Sequence, residues 1–275
     1  MKLFAEYLTT TYRHLANILF SIILLSVATS INAEENEETA NILKGFHQAQ
    51  IQSFFTINAF YNFSANDGDK SLLGDVNEAI NEVNALLNGL EQYKSVDYIS
   101  EDISLATEKW QLYKTTLNTI INDIVDQGYA DLRLMSDLAL QNQEFGAQLS
   151  EAYNKVKTES AYTPDTVSSK SRESALLMAT MMTKYSARTT SNVSQIFQGS
   201  ETEKTIDVLA KDLDVQLKSL LSAATGEQKE TINAVLTKWD FIRSSYINYN
   251  EKNVNYVVNL YSKRIIDALE STSGL

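Results

Sequence analysis

The sequence predicts an all-α fold, organised as two tandem antiparallel four-helix-bundle repeats with long helices. Three observations support this prediction. The 275 residues include a single proline and only nine glycines, too few for an architecture of many strands and turns. A hydrophobic content of 44% is enough to bury at least one core. Around each of the two tryptophans, apolar residues recur at spacings of three and four, the period of an amphipathic helix.

The N-terminus has the pattern of a secretory signal peptide. Basic residues precede a nearly continuous apolar stretch that ends before small residues: Lys2, Arg13 and His14, then residues 15–27, then Ser30 to Ala33. We therefore expect cleavage between Ala33 and Glu34 and export to the periplasm of a Gram-negative bacterium. The alternative is an uncleaved anchor in the inner membrane, although the apolar run of 13 residues is shorter than the ~20 that span a bilayer.

The mature chain is strongly acidic and lacks cysteine. The full sequence has a formal net charge of −12, and removal of Lys2, Glu6 and Arg13 with the signal peptide makes it −13. A surface of this sign repels phosphate backbones, so we expect no binding to nucleic acid. The absence of cysteine excludes disulfides, thiolate metal sites and cysteine nucleophiles.

Eight helices are predicted, four in each half of the mature chain. Glycines, the single proline and short polar runs separate them, and the predicted ranges are 36–65, 70–92, 99–125, 128–159, 167–198, 201–223, 226–249 and 251–271. The weakest separation lies between the third and fourth helices of each half, at Gly128 and at residues 248–253. One continuous helix of coiled-coil length is the alternative there.

Pro164, the single proline, marks the boundary between the two halves. Proline cannot continue a helix, and it pushes the residue before it into an extended conformation. The predicted organisation is therefore a signal peptide at 1–33, a first repeat at 34–162 and a second repeat at 166–275.

Two helix starts in the second half have the spacing of a capping box, in which side chains satisfy the free amides of the first turn. Ser200 is followed three residues later by Glu203, and Thr225 by Gln228. We expect both pairs to cap the helices that follow them.

The two halves match each other around their tryptophans at an offset of 129 residues. The matched pairs are Ile103 and Ile232, Ala106 and Val235, Trp110 and Trp239, Tyr113 and Ile242, Leu117 and Tyr246, and Ile120 and Tyr249. A second block, residues 72–90, matches residues 206–224 at an offset of 134. Two blocks in the same order predict a duplication. Both tryptophans are expected in the core, and ligand stacking is the alternative.

The first helix of each half is apolar around much of its circumference. Phenylalanines crowd the first copy near Phe46 and Phe60, and methionines crowd the second near Met181. Such a helix must be buried on more than one face, either centrally in its bundle or against a second bundle. A methionine-rich surface for a partner is the alternative for the second copy.

Catalytic constellations are missing from the sequence. The mature chain has one histidine, His47, which allows neither a pair of histidine metal ligands nor the two Glu-x-x-His motifs of a di-iron bundle. His47 is interpreted as an ordinary surface or core residue. The carboxylates Glu101, Asp102, Asp123 and Asp126 are interpreted as solvated helix faces. We therefore predict a non-enzymatic protein without metal or cofactor.

The segment Met181-Met-Thr-Lys-Tyr-Ser-Ala187, with a tryptophan helix about 50 residues further on, resembles the PilJ/NarX-like family. This is the family of the N-terminal domain of type IV pili methyl-accepting chemotaxis transducers. Met182, Lys184 and Tyr185 match its methionine, lysine and aromatic positions, whereas its arginines fall on Leu176 and Met181. The resemblance implies periplasmic four-helix sensor modules whose first helix contributes to a small-anion site at a dimer interface.

Two functional hypotheses follow. The first is a sensory accessory protein that binds a small anion or metabolite through Arg172, Thr180 and Lys184 of the second copy's first helix and signals to a membrane receptor. Its two modules would pack as two sensor protomers do. The second is a helical scaffold that engages another protein of the cell envelope and binds no small ligand.

Overall fold

The computed structural model describes residues 36–160, 162–188, 204–251 and 254–273. These residues are helical apart from turns and short connections, and no strand occurs among them, so the predicted all-α class is confirmed. The chain divides into two units, Met1–Asn41 and Ile42–Leu275. Residues 36–41 of the first unit are helical. The predicted signal peptide and its cleavage site at Ala33 and Glu34 lie outside the described residues.

Eight α-helices make up the second unit, within the part that the structure describes. They are α1 (residues 42–65), α2 (Leu73–Leu90), α3 (Ser100–Gln127), α4 (Leu132–Glu159), α5 (Thr166–Ala187), α6 (Ile206–Ala223), α7 (Gly226–Ile247) and α8 (Asn255–Thr272). Short 3₁₀ turns precede and follow α2, at Lys70–Leu72 and Glu91–Tyr93. None of the described helices combines the length and apolar character needed to cross a membrane.

The third and fourth helices of the first half are separate. Gly128 ends α3 with a left-handed φ of 83°, a conformation that glycine adopts without strain. Asp131 then caps α4, because its carboxylate accepts hydrogen bonds from the amides of Arg133 and Leu134 at 2.7 and 3.1 Å. The alternative of one continuous helix is therefore wrong for this half.

The connection at Pro164 also has a cap that the sequence did not single out. Residues 162–165 are not helical, and the carboxylate of Asp165 accepts hydrogen bonds from the amides of Val167 and Ser168 at 2.9 and 3.1 Å. These bonds begin α5 directly after the proline. Thr225 occupies the predicted N-cap position of α7, but its side chain makes no capping hydrogen bond. Ser200 and Glu203 lie outside the described residues.

The second unit contains two hydrophobic clusters of buried residues, and each includes one tryptophan. The first cluster is built mainly from α1 to α4 around Trp110, and the second mainly from α5 to α8 around Trp239. Both indoles are fully buried, which confirms the predicted core position. Helix α1 contributes to both clusters, since Ile51 belongs to the second and is packed beside Phe54 and Phe55. The prediction that this helix is buried on more than one face is confirmed.

The burial pattern relates α2 to α6 at an offset of 130 residues. Every buried residue of α2 has a buried counterpart: Val76 and Ile206, Ala79 and Leu209, Ile80 and Ala210, Val83 and Leu213, Leu87 and Leu217, Leu90 and Leu220. At the predicted offset of 134, Ile80 and Leu87 would correspond to the half-buried Asp214 and Leu221. The predicted register is therefore displaced by about one helical turn, because an apolar stripe matches itself after such a shift.

The helices of the second half pack in a closed ring, in which α5 and α7 each contact both α6 and α8. Helix α5 also meets α1, since Thr183 donates to the carbonyl oxygen of Phe54 at 3.5 Å. His47 and Gln50 of α1, and Ser169 to Leu176 of α5, line one cavity further toward the N-terminal ends of both helices. The two helices therefore run in the same direction.

Candidate functional site

A cavity of about 160 Å³ lies where α1, α4 and α5 meet. Helix α4 lines one wall with Ser150, Tyr153, Asn154 and Lys157. A cavity of about 150 Å³ accepts a molecule of about six non-hydrogen atoms. The position between both halves of the chain makes it the best candidate site in the described residues.

Arg172 is the most unusual residue of this cavity, which we call the Arg172 cavity. The side chain is almost entirely buried, with 7% relative exposure. Its Nη1 donates to the hydroxyl of Tyr153 at 3.1 Å, and the guanidinium lies 6.0 Å from the centre of that ring. Its Nε is buried without a hydrogen-bond partner among the described residues. A buried cation without a carboxylate is costly, so this site is not satisfied by the protein alone.

His47 is buried at the opposite wall and is paired. Its Nε2 donates to the Glu270 carboxylate of α8 at 2.6 Å, and its side chain is 1% exposed. The interpretation of His47 as an ordinary residue therefore misses an interaction that joins α1 to α8 across 223 residues of sequence. Sequence spacing gives no signal for such a distant partner.

The remaining charges of the Arg172 cavity are Lys157 and Glu173. Lys157 lies 5.8 Å from the centre of the Tyr153 ring, and Glu173 accepts a hydrogen bond from Ser169 at 3.3 Å on the exposed side of α5. The lining thus includes two permanent cations and one carboxylate. With His47 paired to Glu270 outside the cavity wall, the cavity favours an anionic ligand.

A second cavity, of about 350 Å³, lies where α1, α2 and α8 meet. Its charged residues are Glu82, Asp267 and Glu270, and no lysine, arginine or histidine lines it. Burial raises the pKa of Asp267; nearby Lys263 opposes this shift, and Glu270 reinforces it. We call it the acidic cavity. Its charge is opposite to that of the Arg172 cavity.

The two tryptophans make similar polar contacts inside their clusters. Trp110 Nε1 donates to Asn84 Oδ1 at 2.8 Å, and Trp239 Nε1 donates to Asp214 Oδ1 at 2.7 Å. Asp214 is also bound by Arg243, whose Nε lies 2.9 and 2.8 Å from the two carboxylate oxygens. The indoles are therefore fixed by neighbouring helices, in keeping with a structural role.

Of the predicted ligand residues, the structure brings only Arg172 to a cavity. Thr180 donates to the carbonyl oxygen of Leu176 at 2.8 Å, within its own helix. Lys184 is half-buried and does not line the Arg172 cavity. Because a helix rises 1.5 Å per residue, Lys184 lies about 18 Å along α5 from Arg172. One small molecule cannot contact both.

The residues that carry the family resemblance lie mostly in the second hydrophobic cluster. Met181, Met182 and Tyr185 are buried there, and the Tyr185 hydroxyl accepts a hydrogen bond from the amide of Val254 at 3.2 Å. Leu176, one of the two positions where the family has arginine, lines the Arg172 cavity. The guanidinium of this chain therefore enters the cavity one helical turn earlier, from Arg172.

One of the four carboxylates interpreted as solvated is instead buried. Asp102 is 9% exposed, and it accepts hydrogen bonds from Lys155 at 2.8 Å and from Gln148 at 3.2 Å. These contacts join α3 to α4, so Asp102 has a structural role. Among the described residues, no three His, Asp or Glu side chains are grouped as metal ligands.

Comparison with protein-family models, with curated proteins and with solved structures finds no match for this chain.

Proposed function

We propose that this chain is an exported, non-enzymatic accessory protein that binds a small ligand in the Arg172 cavity. The observation that carries the proposal is the buried guanidinium of Arg172, whose Nε has no partner in a cavity of about 160 Å³. Binding sites are typically concave, with a few polar groups that orient the ligand. The cavity meets this description, and its small volume suits a metabolite or small anion.

A duplicated architecture of two four-helix bundles is part of this proposal. Its support is threefold: two hydrophobic clusters, the coincidence of buried residues in α2 and α6, and equivalent hydrogen bonds from Trp110 and Trp239. The acceptors Asn84 and Asp214 are 130 residues apart, the same offset as the buried residues around them. Two modules with parallel first helices would then pack as two protomers of a PilJ/NarX-like sensor do.

Export to the periplasm and a membrane receptor as partner complete the proposal. The apolar stretch at residues 15–27 and the net charge of −12 favour an exported acidic protein. A ligand held between the two modules would change how firmly they are fixed together. A membrane receptor that contacts both modules would detect that change.

A helical scaffold is the second candidate, and one specific observation favours it. Leu112 and Phe241 are large apolar residues that are 54% and 61% exposed. Each lies two positions after the tryptophan of its half, and the two are 129 residues apart. Apolar side chains exposed at matching positions suit a protein partner that contacts both halves.

Thermal unfolding of the chain from Glu34 onward, with a panel of neutral, cationic and anionic small molecules, tests the proposal. A ligand present at a hundred times its dissociation constant adds about 2.7 kcal/mol to the free energy of unfolding. We expect at least one class of ligand to raise the midpoint, and Ser150→Leu, which fills the cavity, to abolish the shift. The matched control Thr237→Leu, on the exposed face of α7, keeps the shift.

No shift with any class contradicts ligand binding and favours the scaffold. In that case Leu112→Asp and Phe241→Asp are expected to abolish association with the envelope partner.

A further inference from the structure

The two cavities described above correspond to each other residue by residue. An offset of 125 residues carries Gln48 and Ile51 of α1 onto Glu173 and Leu176 of α5. An offset of 117 carries Ser150, Tyr153 and Asn154 of α4 onto Asp267, Glu270 and Ser271 of α8. Five residues that line the acidic cavity are thus related to five that line the Arg172 cavity.

The same two offsets relate the polar contact at each cavity. They carry His47 onto Arg172 and Tyr153 onto Glu270, so the contact of His47 with Glu270 corresponds to that of Arg172 with Tyr153. The burial pattern agrees with the first offset, since Phe46, Ser53 and Phe60 correspond to the buried Ser171, Met178 and Tyr185.

The two contacts differ in one chemical respect. On the α8 side, a carboxylate meets the buried basic group of α1 at 2.6 Å. On the α4 side, a phenol meets the buried basic group of α5 at 3.1 Å. The guanidinium of Arg172 therefore lacks the carboxylate that its counterpart has.

Two hydrogen-bond donors of Arg172 remain without a partner. Nη1 is used by Tyr153, and neither Nε nor Nη2 donates to any group among the described residues. These two nitrogens form one edge of the planar guanidinium, with parallel N–H bonds whose spacing matches the two oxygens of a carboxylate. A single hydroxyl or carbonyl would satisfy only one of them.

We propose that the Arg172 cavity binds a short carboxylate of about six non-hydrogen atoms, held by Nε and Nη2 of Arg172. This inference rests on the proposed function and specifies its ligand class. The ligand supplies the carboxylate that Glu270 supplies on the other side. Beside it, Ser150, Asn154 and Gln50 offer polar groups to a hydroxyl, keto or amino substituent. The acidic cavity repels the same ligand, because its charged lining is entirely anionic.

Isothermal titration calorimetry with L-lactate, pyruvate and acetate tests the inference, with nitrate and sulfate as inorganic anions and glycerol as a neutral molecule of lactate's size. We expect a three-carbon carboxylate to bind at least tenfold more tightly than nitrate, sulfate or glycerol. Arg172→Gln removes the charged edge and is expected to weaken binding roughly 10- to 100-fold. Arg172→Lys keeps the charge but not the planar edge, and it is expected to weaken binding as well.

Tyr153→Glu gives the sharpest variant, because it copies the α8 side and places a carboxylate within the protein beside Arg172. We expect this variant to keep its thermal midpoint and to lose carboxylate binding. Tyr153→Phe removes the phenol hydroxyl without adding a carboxylate, so it keeps binding and controls for loss of the aromatic contact. Glu82→Gln, in the acidic cavity, also leaves carboxylate binding unchanged.

The outcomes separate the two proposals. Carboxylate binding that survives Tyr153→Glu or Arg172→Gln at wild-type affinity overturns the carboxylate assignment. Tighter binding of nitrate or of glycerol than of the three-carbon carboxylates overturns it too, while the ligand-binding function stands. No binding by any member of the wider panel overturns both.

Discussion

The buried guanidinium of Arg172 donates to the phenol of Tyr153 at 3.1 Å and has no carboxylate partner among the described residues. Tyr153 withholds the negative charge that a buried arginine normally requires. The protein therefore carries an unsatisfied cation at the contact between α4 and α5. Such a residue is retained where a ligand completes it, and its presence should lower the stability of the unliganded protein.

Arg172→Met tests this cost. Removal of a buried cation without a carboxylate partner, in exchange for an apolar side chain, is expected to raise the free energy of unfolding by about 1–2 kcal/mol without ligand. Urea unfolding measures the difference. The matched control is Arg243→Met, which removes the partner of Asp214 and is expected to lower stability. Equal destabilisation by both variants would show that Arg172 is an ordinary structural arginine.

The pair of His47 and Glu270 should contribute to stability. Glu270→Gln replaces the carboxylate that accepts from the buried imidazole at 2.6 Å. We expect a loss of about 1–3 kcal/mol, because hydrogen bonds to charged groups contribute this much when buried. Glu230→Gln, on an exposed position of α7, is the control and should change stability by less than about 0.5 kcal/mol. A loss for Glu270→Gln no greater than the control's would contradict the pairing.

The contact between Trp239 and Asp214 should depend on pH, whereas that between Trp110 and Asn84 should not. Burial works against ionisation of Asp214, but hydrogen bonds from Arg243 and Trp239 outweigh it and hold the pKa of Asp214 below its ordinary value of 3.8. A carboxyl whose pKa is lowered by folding stabilises the protein above its unfolded pKa and loses this contribution as pH falls through the folded pKa.

We therefore expect Asp214→Asn to cost about 1–2 kcal/mol at pH 7 and markedly less at pH 3, measured by urea unfolding. Asn84→Ala is the control, since no titrating group is lost and its cost should be similar at both pH values. A cost of Asp214→Asn that is unchanged at pH 3 would contradict the assigned pKa direction.

Gly45 allows α1 to approach α2 closely. A Cβ atom at this position would lie 2.6 Å from Cδ2 of Leu90, whereas a Cβ at Gly74 or Gly89 of α2 meets nothing within 4 Å. Gly45→Ala is expected to destabilise by about 1–3 kcal/mol through overpacking. Gly74→Ala should instead stabilise by up to ~1 kcal/mol, because alanine favours the helix. Chemical denaturation of both variants checks this, and stabilisation by Gly45→Ala would contradict the packing.

The apolar periodicity of the sequence predicts the helices and the core well. Trp110 and Trp239 lie in their clusters as the stripes indicate, and Gly128 ends α3 at the predicted break. These features follow from local rules of spacing and backbone conformation. The register between α2 and α6 was displaced by one turn, because a stripe alone cannot distinguish offsets of 130 and 134. The polar acceptors Asn84 and Asp214 identify the register, and only the fold reveals them as equivalent.

The candidate site depends on contacts between distant segments, which single-sequence patterns do not show. Arg172 was singled out from the face of one helix, but its partner Tyr153 belongs to another helix and its missing carboxylate is visible only by comparison with Glu270. His47 was read as ordinary for the same reason. Asp102 was read as solvated because the helix stripe does not indicate that Lys155 and Gln148 of α4 cover it.

The most direct test of the central claim is the NMR signal of the Arg172 Nε–Hε group, assigned by its absence from the Arg172→Lys spectrum. Titration with L-lactate should shift this signal downfield in a saturable manner, while the Nε–Hε signal of Arg243, already bound to Asp214, stays in place. That result places a carboxylate on the free edge of Arg172. A signal that does not move while lactate binds elsewhere, or that moves equally with glycerol, would contradict the account.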